Sequence, residues 1–371
     1  MVLSPALAVE TKPFEGLKVD VTVSRGNSRK GRAGHQPGRR KPSGRDRDQA
    51  PLGALDLGTN NCRLLIARPS PHGLAVVDAF SRIVRLGEGL GLSGRLSEPA
   101  IERTLEALRV CANKLKWHGV SEKRLIATEA CRLASNGAEF IARVESEIGL
   151  KLEIIDRETE AGLAATGSLP LIEAGAQNAV IFDIGGGSTE VMWMERGQGH
   201  HEILAWTSLA AGVVTLSERH GGGREVTPEI FQAMREDVGQ LLAPFVQEVR
   251  VRNGDHIVPT HLLGTSGTVT TIAGVHLGLR HYDRAKVDGS WIASAGAGEV
   301  TRQLLAMSHE ERMQNGCIGR ERADLVLAGC AILEEIRNAF PALRIRVADR
   351  GLREGILLEM IQKARDKATR Q

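Results

Sequence analysis

Residues 180–194 read VIFDIGGGSTEVMWM. Three consecutive glycines, Gly185, Gly186 and Gly187, separate two apolar runs, with Asp183 before them and Ser188, Thr189 and Glu190 after. Glycine lets the backbone take positive φ and lets a ligand approach the main chain closely. Successive exposed N–H groups then form an anion-binding concavity, to which hydroxyls add donors. Phosphate is the anion that fits. The flanking acids would repel a bare phosphate, so they imply a bridging divalent cation. Mg²⁺ is the natural choice, because it prefers one or two carboxylates, water and phosphate oxygens. Three glycines alone would fit a structural hairpin equally well; the context decides. A matching stretch upstream, LDLGTNNCRLLIA, shares the strand-ending acid (Asp56), a glycine two residues on (Gly58) and small polar residues (Thr59, Asn60) before a second strand. A third turn, GTSGT, occupies 264–268 and contains Ser266, Gly267 and Thr268.

Asp56 and Asp183 stand 127 positions apart, which reads as a duplication rather than a short solenoid repeat. Each copy opens strand–turn–strand and continues into alternating helices and strands. Two such units facing across a cleft would bring both glycine turns to one ligand. Amphipathic helices are expected from Ser97 to Gly119 and from Thr227, and again over the last segment near 352–366. Gly89, Gly91 and Gly94 satisfy GxGxxG, but no clear strand leads in and the helix begins only near Ser97; a dinucleotide site is rejected there. No GxxxxGK[ST] occurs.

The chain of 371 residues is long enough for two domains. Aromatic residues make up 3%, too few for stacking platforms on single-stranded nucleic acid. No apolar run approaches the roughly 20 residues of a membrane helix, and MVLSPALAV lacks a basic region, so neither a span nor a signal peptide is expected. Cys62, Cys111, Cys131, Cys317 and Cys330 are scattered without zinc spacing, which suits reduced thiols in the cytoplasm. His200, His201 and His220 suggest no metal cluster, and the four tryptophans, Trp117, Trp193, Trp206 and Trp291, read as packing residues. Charge is uneven. Residues 1–50 carry eleven Lys or Arg against five Asp or Glu, a net +6, and the remainder carries 37 against 40, a net −3. This basic, Gly- and Pro-rich segment is expected to be disordered. It reads as a solubilising tail or, more sharply, as an arm that attracts polyanions such as RNA or polyphosphate.

In this order, ALDLGTNNCRLLIA, RLGEGLGLSGRLSEPAIERTLEAL, IATEACRLASN, EIIDRETEAGLAATG, FDIGGGSTE, LLGTSGTVT and ADRGLREGIL resemble the exopolyphosphatase and guanosine pentaphosphate phosphatase family, over roughly residues 53–365. The resemblance implies an α/β fold of two ribonuclease H-like domains, as in actin, the heat-shock ATPases and the sugar kinases. It places the first over 51–168 and the second over 169–351, with the helix near 352–366 packing back on the first. It implies Mg²⁺-dependent release of the terminal phosphate from polyphosphate or from guanosine pentaphosphate. Glu160, directly before AGL, takes the place of the catalytic base, with Glu158 the second choice. Asp183 and Glu190 take the metal position. Asp56, Gly58, Thr59, Asn60, Arg63, Arg132, Gly185, Gly186, Gly187, Ser188, Thr189, Ser266, Gly267 and Thr268 take phosphate-binding positions. Arg353 and Glu354 match a family pair with either a substrate or an interdomain role. Thr59 replaces a frequent Ser, and Arg350 stands where Gly is usual. Larger members continue into helical domains that extend a channel for long polymers, and this sequence ends at Gln371. A homodimer is the family-based expectation. Two other readings share the fold: a sugar-kinase-type phosphotransferase, and a sensor that binds polyphosphate or nucleotide without turnover.

Overall fold

The computed structural model describes residues 50–71, 73–197, 201–254 and 257–369. The basic segment up to residue 49 and His200 lie outside the described residues. The first unit runs β1 (Leu52–Leu57), β2 (Asn61–Ser70), β3 (Gly73–Ile83), α1 (Leu90–Ser93), α2 (Glu98–Trp117), β4 (Glu122–Ala127), α3 (Glu129–Leu133), α4 (Gly137–Ile148), β5 (Glu153–Ile154) and α5 (Arg157–Ser168). The second runs β6 (Asn178–Ile184), β7 (Thr189–Arg196), β8 (His201–Leu209), α6 (Val213–Arg219), α7 (Pro228–Asn253), β9 (Leu262–Thr265), α8 (Gly267–His276), α9 (Arg284–Val287), β10 (Trp291–Ala293), α10 (Ser294–Ala306), α11 (His309–Gln314), α12 (Val326–Ala339) and β11 (Arg344–Ala348). The final helix, α13 (Leu352–Thr369), follows.

The duplication is visible in the sheets. The first has the order β3-β2-β1-β4-β5; the second, read from its other edge, has β8-β7-β6-β9-β11, with β10 added beyond β11. In each sheet the opening hairpin is antiparallel and the strand joining it beyond the hairpin runs parallel to its first strand. This is the two-domain ribonuclease H-like fold expected from the resemblance.

Both sheets are covered on both faces, so their central strands are apolar throughout. Alternation along β1 sends Leu55 and Leu57 toward α2 and α4, and Leu52 and Ala54 toward α13. In β6, Val180, Phe182 and Ile184 join the large core with α7, α8 and α12, while Ile181 faces α5. Asp56 follows Ala54 and Asp183 follows Ile181. Both acids therefore end their strands on the face that looks into the gap between the sheets.

That gap is floored by α5 and α13. The sequence AGLAATGS supplies α5 with side chains small enough for the helices to touch through their backbones. A Cβ on Gly167 would sit 1.9 Å from the Gly351 carbonyl oxygen, and one on Gly355 would sit 1.9 Å from that of Leu163. Thr227 caps α7 through its hydroxyl, as expected. Trp193 and Trp206 are buried and Trp291 lies beneath Arg344 and Arg346. Trp117 corrects the packing expectation: at the C-terminus of α2 it is 86% exposed. Within LKLEIID only Glu153–Ile154 pairs into the sheet.

Gly167→Ala and Gly355→Ala are each expected to cost at least about 2 kcal/mol, because backbone cannot yield as a side chain would. Gly175→Ala, where nothing lies within 4 Å, is the control. Urea midpoints for the three variants check this, and equal midpoints would refute it.

Candidate functional site

Each opening hairpin closes with the same turn. The Gly58 amide donates to the Asn61 carbonyl at 2.9 Å, and the Gly185 amide donates to that of Ser188 at 2.9 Å. Cross-strand register then places Arg63 opposite Asp56, and Glu190 opposite Asp183. Parallel pairing adds Thr265 beside Asp183. A cleft of about 470 Å³ opens between these turns. Asp56, Gly58, Thr59, Asn60, Arg63, Glu160, Asp183, the three glycines of 185–187, Ser188, Glu190, Ser266, Gly267 and Thr268 all line it.

The glycines serve close approach rather than unusual backbone angles. None of Gly58, Gly185, Gly186 or Gly187 has positive φ. A Cβ on Gly186 would meet the Asn60 amide nitrogen at 3.0 Å, and one on Gly187 would meet Thr59 Oγ1 at 2.7 Å. The two turns thus touch across the domain boundary. Behind them α6 rests its first turn on the glycines: Val213 and Val214 donate to the Gly185 and Gly186 carbonyls, each at 2.9 Å.

Four carboxylates converge here, Glu190 buried and Asp56, Asp183 and Glu160 half-buried. Burial pushes the pKa of Asp56 up, against the pull of Arg63 and Arg353. Burial raises Asp183 likewise. Glu190 is raised to about 7, first by burial and then by repulsion from Asp183. Glu160 sits in the first turn of α5, whose cap Asp156 accepts from the Thr159 amide at 2.7 Å. Burial, then repulsion from Glu190, raises its pKa well above the usual carboxylate range. Arg132 opposes this by donating to Glu160 Oε2 at 3.0 Å.

Two sequence-derived assignments change. Arg132 does not present its guanidinium to the cleft: it donates to Glu129, to Glu160 and to the Ile155 carbonyl. It holds an acid instead of a phosphate. Thr189 is fully buried and donates to the Ala211 carbonyl at 2.6 Å, so it anchors β7 from behind. Ser188 lines the cleft, but its hydroxyl donates to Glu190 Oε1 at 2.8 Å, as does that of Ser208 at 2.9 Å. Ser266, at φ 116, caps α8 by accepting from the Thr268 amide.

Arg322 and Glu129 escaped the sequence reading. Arg322 lies against Gly267, with its guanidinium carbon 3.7 Å from where a Cβ there would be. It stands in RERAD, a stretch with no glycine turn to flag it. Arg353 enters the cleft at the start of α13, whereas its neighbour Glu354 is taken by Arg284 and the Gly351 amide. Among the described residues none of Arg63, Arg322 and Arg353 pairs with a carboxylate. Burial lowers the pKa of both Arg322 and Arg353. Glu129 ties Arg132 to Arg157. Burial pushes its carboxyl up, but the bonds from Arg157 and the charge of Arg132 outweigh this and leave it below the usual range. Arg350, the departure from the usual glycine, pairs with Asp288 at the rim.

No three acidic, histidine or cysteine side chains converge on a metal position among the described residues. The donors present are hard carboxylate oxygens, beside the buried Oδ1 atoms of Asn60 and Asn61, which have no hydrogen-bond partner among the described residues. Such a set suits Mg²⁺ that keeps most of its ligands as water and phosphate oxygens.

Fold and cleft define a two-domain protein of the actin-like, ribonuclease H-like class. The chain belongs to the Ppx/GppA phosphatase family, whose pattern matches residues 65–364. It is 30% identical over 323 residues to exopolyphosphatase 2 of Mycobacterium tuberculosis, covering 83% of this chain and 98% of that one. The crystal structure of an exopolyphosphatase from Cytophaga hutchinsonii superposes with a TM-score of 0.77 at 26% identity, covering 84% of this chain and 98% of that one. That of the Aquifex aeolicus Ppx/GppA family member gives 0.69 at 28%, covering 85% and 98%.

The raised acids carry a pH signature. The folded protein holds the Glu190 proton more tightly than the unfolded chain does. Its contribution to stability is therefore present below the ordinary value of 4.5 and is lost as pH rises through about 7. In EDTA, the melting temperature of wild type should fall over that window relative to Glu190→Gln. Parallel curves for the two proteins would refute this.

Proposed function

We propose that this protein is a Mg²⁺-dependent phosphoanhydride hydrolase that releases the terminal phosphate of inorganic polyphosphate. The observation that carries the reading is the meeting, in one cleft, of acids whose pKa burial raises with three arginines that, among the described residues, form no salt bridge. A polyanion supplies the missing negative charge for the arginines, and a divalent cation supplies the positive charge for Asp183 and Glu190. Both the family and the relatives named exopolyphosphatase support this reading.

Glu160 would act as general base. Its raised pKa brings its basicity nearer working pH, while Arg132 favours its ionised form and fixes its orientation. It accepts a proton from water as the water oxygen bonds to the terminal phosphorus. The bridging P–O bond breaks, and the shortened polyphosphate leaves with the bonding pair. Negative charge in such a transition state spreads over the equatorial phosphoryl oxygens, so most of the catalysis is electrostatic positioning. Arg63, Arg322 and Arg353 would neutralise those oxygens, and the amides of the 58–60 and 185–187 turns would orient them. Asp183 and Glu190 would hold Mg²⁺ directly or through water, and the ion would supply positive charge that stabilises the phosphoryl group. Asp56 would stand beside Arg63 as the first unit's counterpart.

Guanosine pentaphosphate is the second substrate, because it ends in the same anhydride and the cleft extends past the phosphate turns to Thr271, Tyr282 and Ile318. The non-catalytic sensor reading would leave the proton-accepting position of Glu160 without use.

Phosphate release from long polyphosphate, short polyphosphate and guanosine pentaphosphate, each with Mg²⁺ or EDTA, tests the reading. Release should require Mg²⁺ and fall by at least about 100-fold in a folded Glu160→Gln variant. Binding of polyphosphate without release from any of the three would overturn it in favour of the sensor.

A further inference from the structure

Among the described residues only two non-glycine residues have positive φ: Ser266, which lines the cleft, and Arg85, at φ 48, which is bonded to the turn behind it. A long side chain in the left-handed region is uncommon and persists only where its surroundings hold it. Arg85 is held from both sides. Its amide donates to the Asn60 carbonyl at 3.1 Å, as that of Val84 does at 2.9 Å, and the Gly87 amide donates to Thr59 at 2.9 Å. The strand end carrying Arg85 is thereby fastened to the first unit's glycine turn. Arg103 braces it from below by donating to the Val84 carbonyl at 3.1 Å.

The Arg85 side chain crosses to the other unit. Nη1 lies 3.0 Å from Asp324 Oδ2 and Nη2 donates to Asp324 Oδ1 at 3.2 Å, the fork-on-carboxylate geometry that fixes direction as well as distance. Nη2 also donates to the Glu321 carbonyl at 3.2 Å. Residues 321 and 324 bracket Arg322. Four residues on, the Gly89 amide donates to Glu218 Oε1 at 2.9 Å, on α6, whose first turn donates to the carbonyls of the three-glycine turn. The second unit ties the same loop from its own side. Ser217 donates to the Asp324 carbonyl at 3.1 Å and Arg312 donates to that of Ala323 at 3.2 Å.

We propose that Arg85 is a positioning residue: its ion pair with Asp324 latches the two domains together and thereby sets Arg322 against the first unit's turn at 58–60. In the latched form one side chain joins the first unit's turn to the loop that presents Arg322. In an open form that join is broken, and Arg322 moves away with the second unit. Binding energy for the substrate then depends on the fraction of molecules already latched. The substrate role of Arg322 rests on the hydrolase reading; the latch itself does not.

Arg85→Gly tests this without disturbing the fold, because glycine takes the left-handed backbone at no steric cost. Arg85→Lys keeps the charge without the fork, and Asp324→Asn removes the partner. Arg85→Gly and Asp324→Asn should each raise KM for polyphosphate by about fivefold with kcat nearly unchanged, the scale of a partly exposed ion pair acting on the closed fraction. The double variant should be no worse than either single one, and Arg85→Lys should recover part of the loss. Additive effects, or kcat falling with KM unchanged, would overturn the latch. A second readout needs no turnover. Spin labels on cysteines placed at Trp117 and Val251, 86% and 76% exposed and one on each unit, report the interdomain distance. Arg85→Gly should lengthen or broaden that distance in the unliganded protein, and an unchanged distribution would refute the latch. If wild type released no phosphate from any substrate, the hydrolase reading would fail while the distance measurement still decided the latch.

Discussion

Everything in this protein is arranged around charge that has been taken out of water without being neutralised. Asp56, Asp183 and Glu190 lie at the ends of buried strands, and Glu160 begins a helix packed between two sheets. Isolated charges in such places are expensive, and proteins usually pair them or let them shift their pKa. Here the acids shift, while among the described residues Arg63, Arg322 and Arg353 form no salt bridge with a carboxylate. The rest of the fold must hold like charges together and opposite charges slightly apart, which a rigid frame can do and a flexible loop cannot. The two flanking cores provide that frame, each sheet being filled on both faces.

Electrostatics of this kind is useful only if water stays out and the two halves meet accurately. The contact of Thr59 and Asn60 with Gly186 and Gly187 accomplishes both. Any side chain at these glycines would prise the turns apart. Arg132 contributes differently: by gripping Glu129, Glu160 and the Ile155 carbonyl together, it joins α3, the end of β5 and α5 into one rigid wall. Its value is mechanical and electrostatic at once, since it fixes the direction of Glu160 while opposing the burial that would neutralise it.

Much of this was legible in the sequence because duplication makes local patterns reinforce one another. The Asp–x–Gly turn after an apolar strand, met twice, located both hairpins, and the gap-facing acids followed from strand alternation. Glu160 was legible only through its family context; an acid in the first turn of a helix is otherwise unremarkable. Arg132 and Thr189 stand away from the cleft lining, on partners that residue type alone does not show, because residue type says what a group can bind and not which competitor stands nearer. Glu129 and the Ala211 carbonyl are such competitors, and both are brought in by tertiary packing. Arg322 was missed for the converse reason: its stretch carries no local signature, and it reaches the cleft only when the second unit folds. The glycines were recognised for the wrong half of their chemistry, since it is crowding between the units, not φ, that requires them.

The last helix has a consequence for how the chain is born. Leu352, Ile356, Leu357 and Ile361 of α13 complete the apolar layer over Leu52, Ala54, Leu65 and Ala67 of the first two strands. During synthesis those strands leave the ribosome long before the helix that covers them, and domains ordinarily mature from the N-terminal end as they emerge. The first unit cannot do so, because one face of its sheet stays wet until nearly the whole second unit has been made. The unit synthesised second is therefore free to settle first. The opening half of the cleft therefore gains its complete apolar support only when the chain is nearly finished.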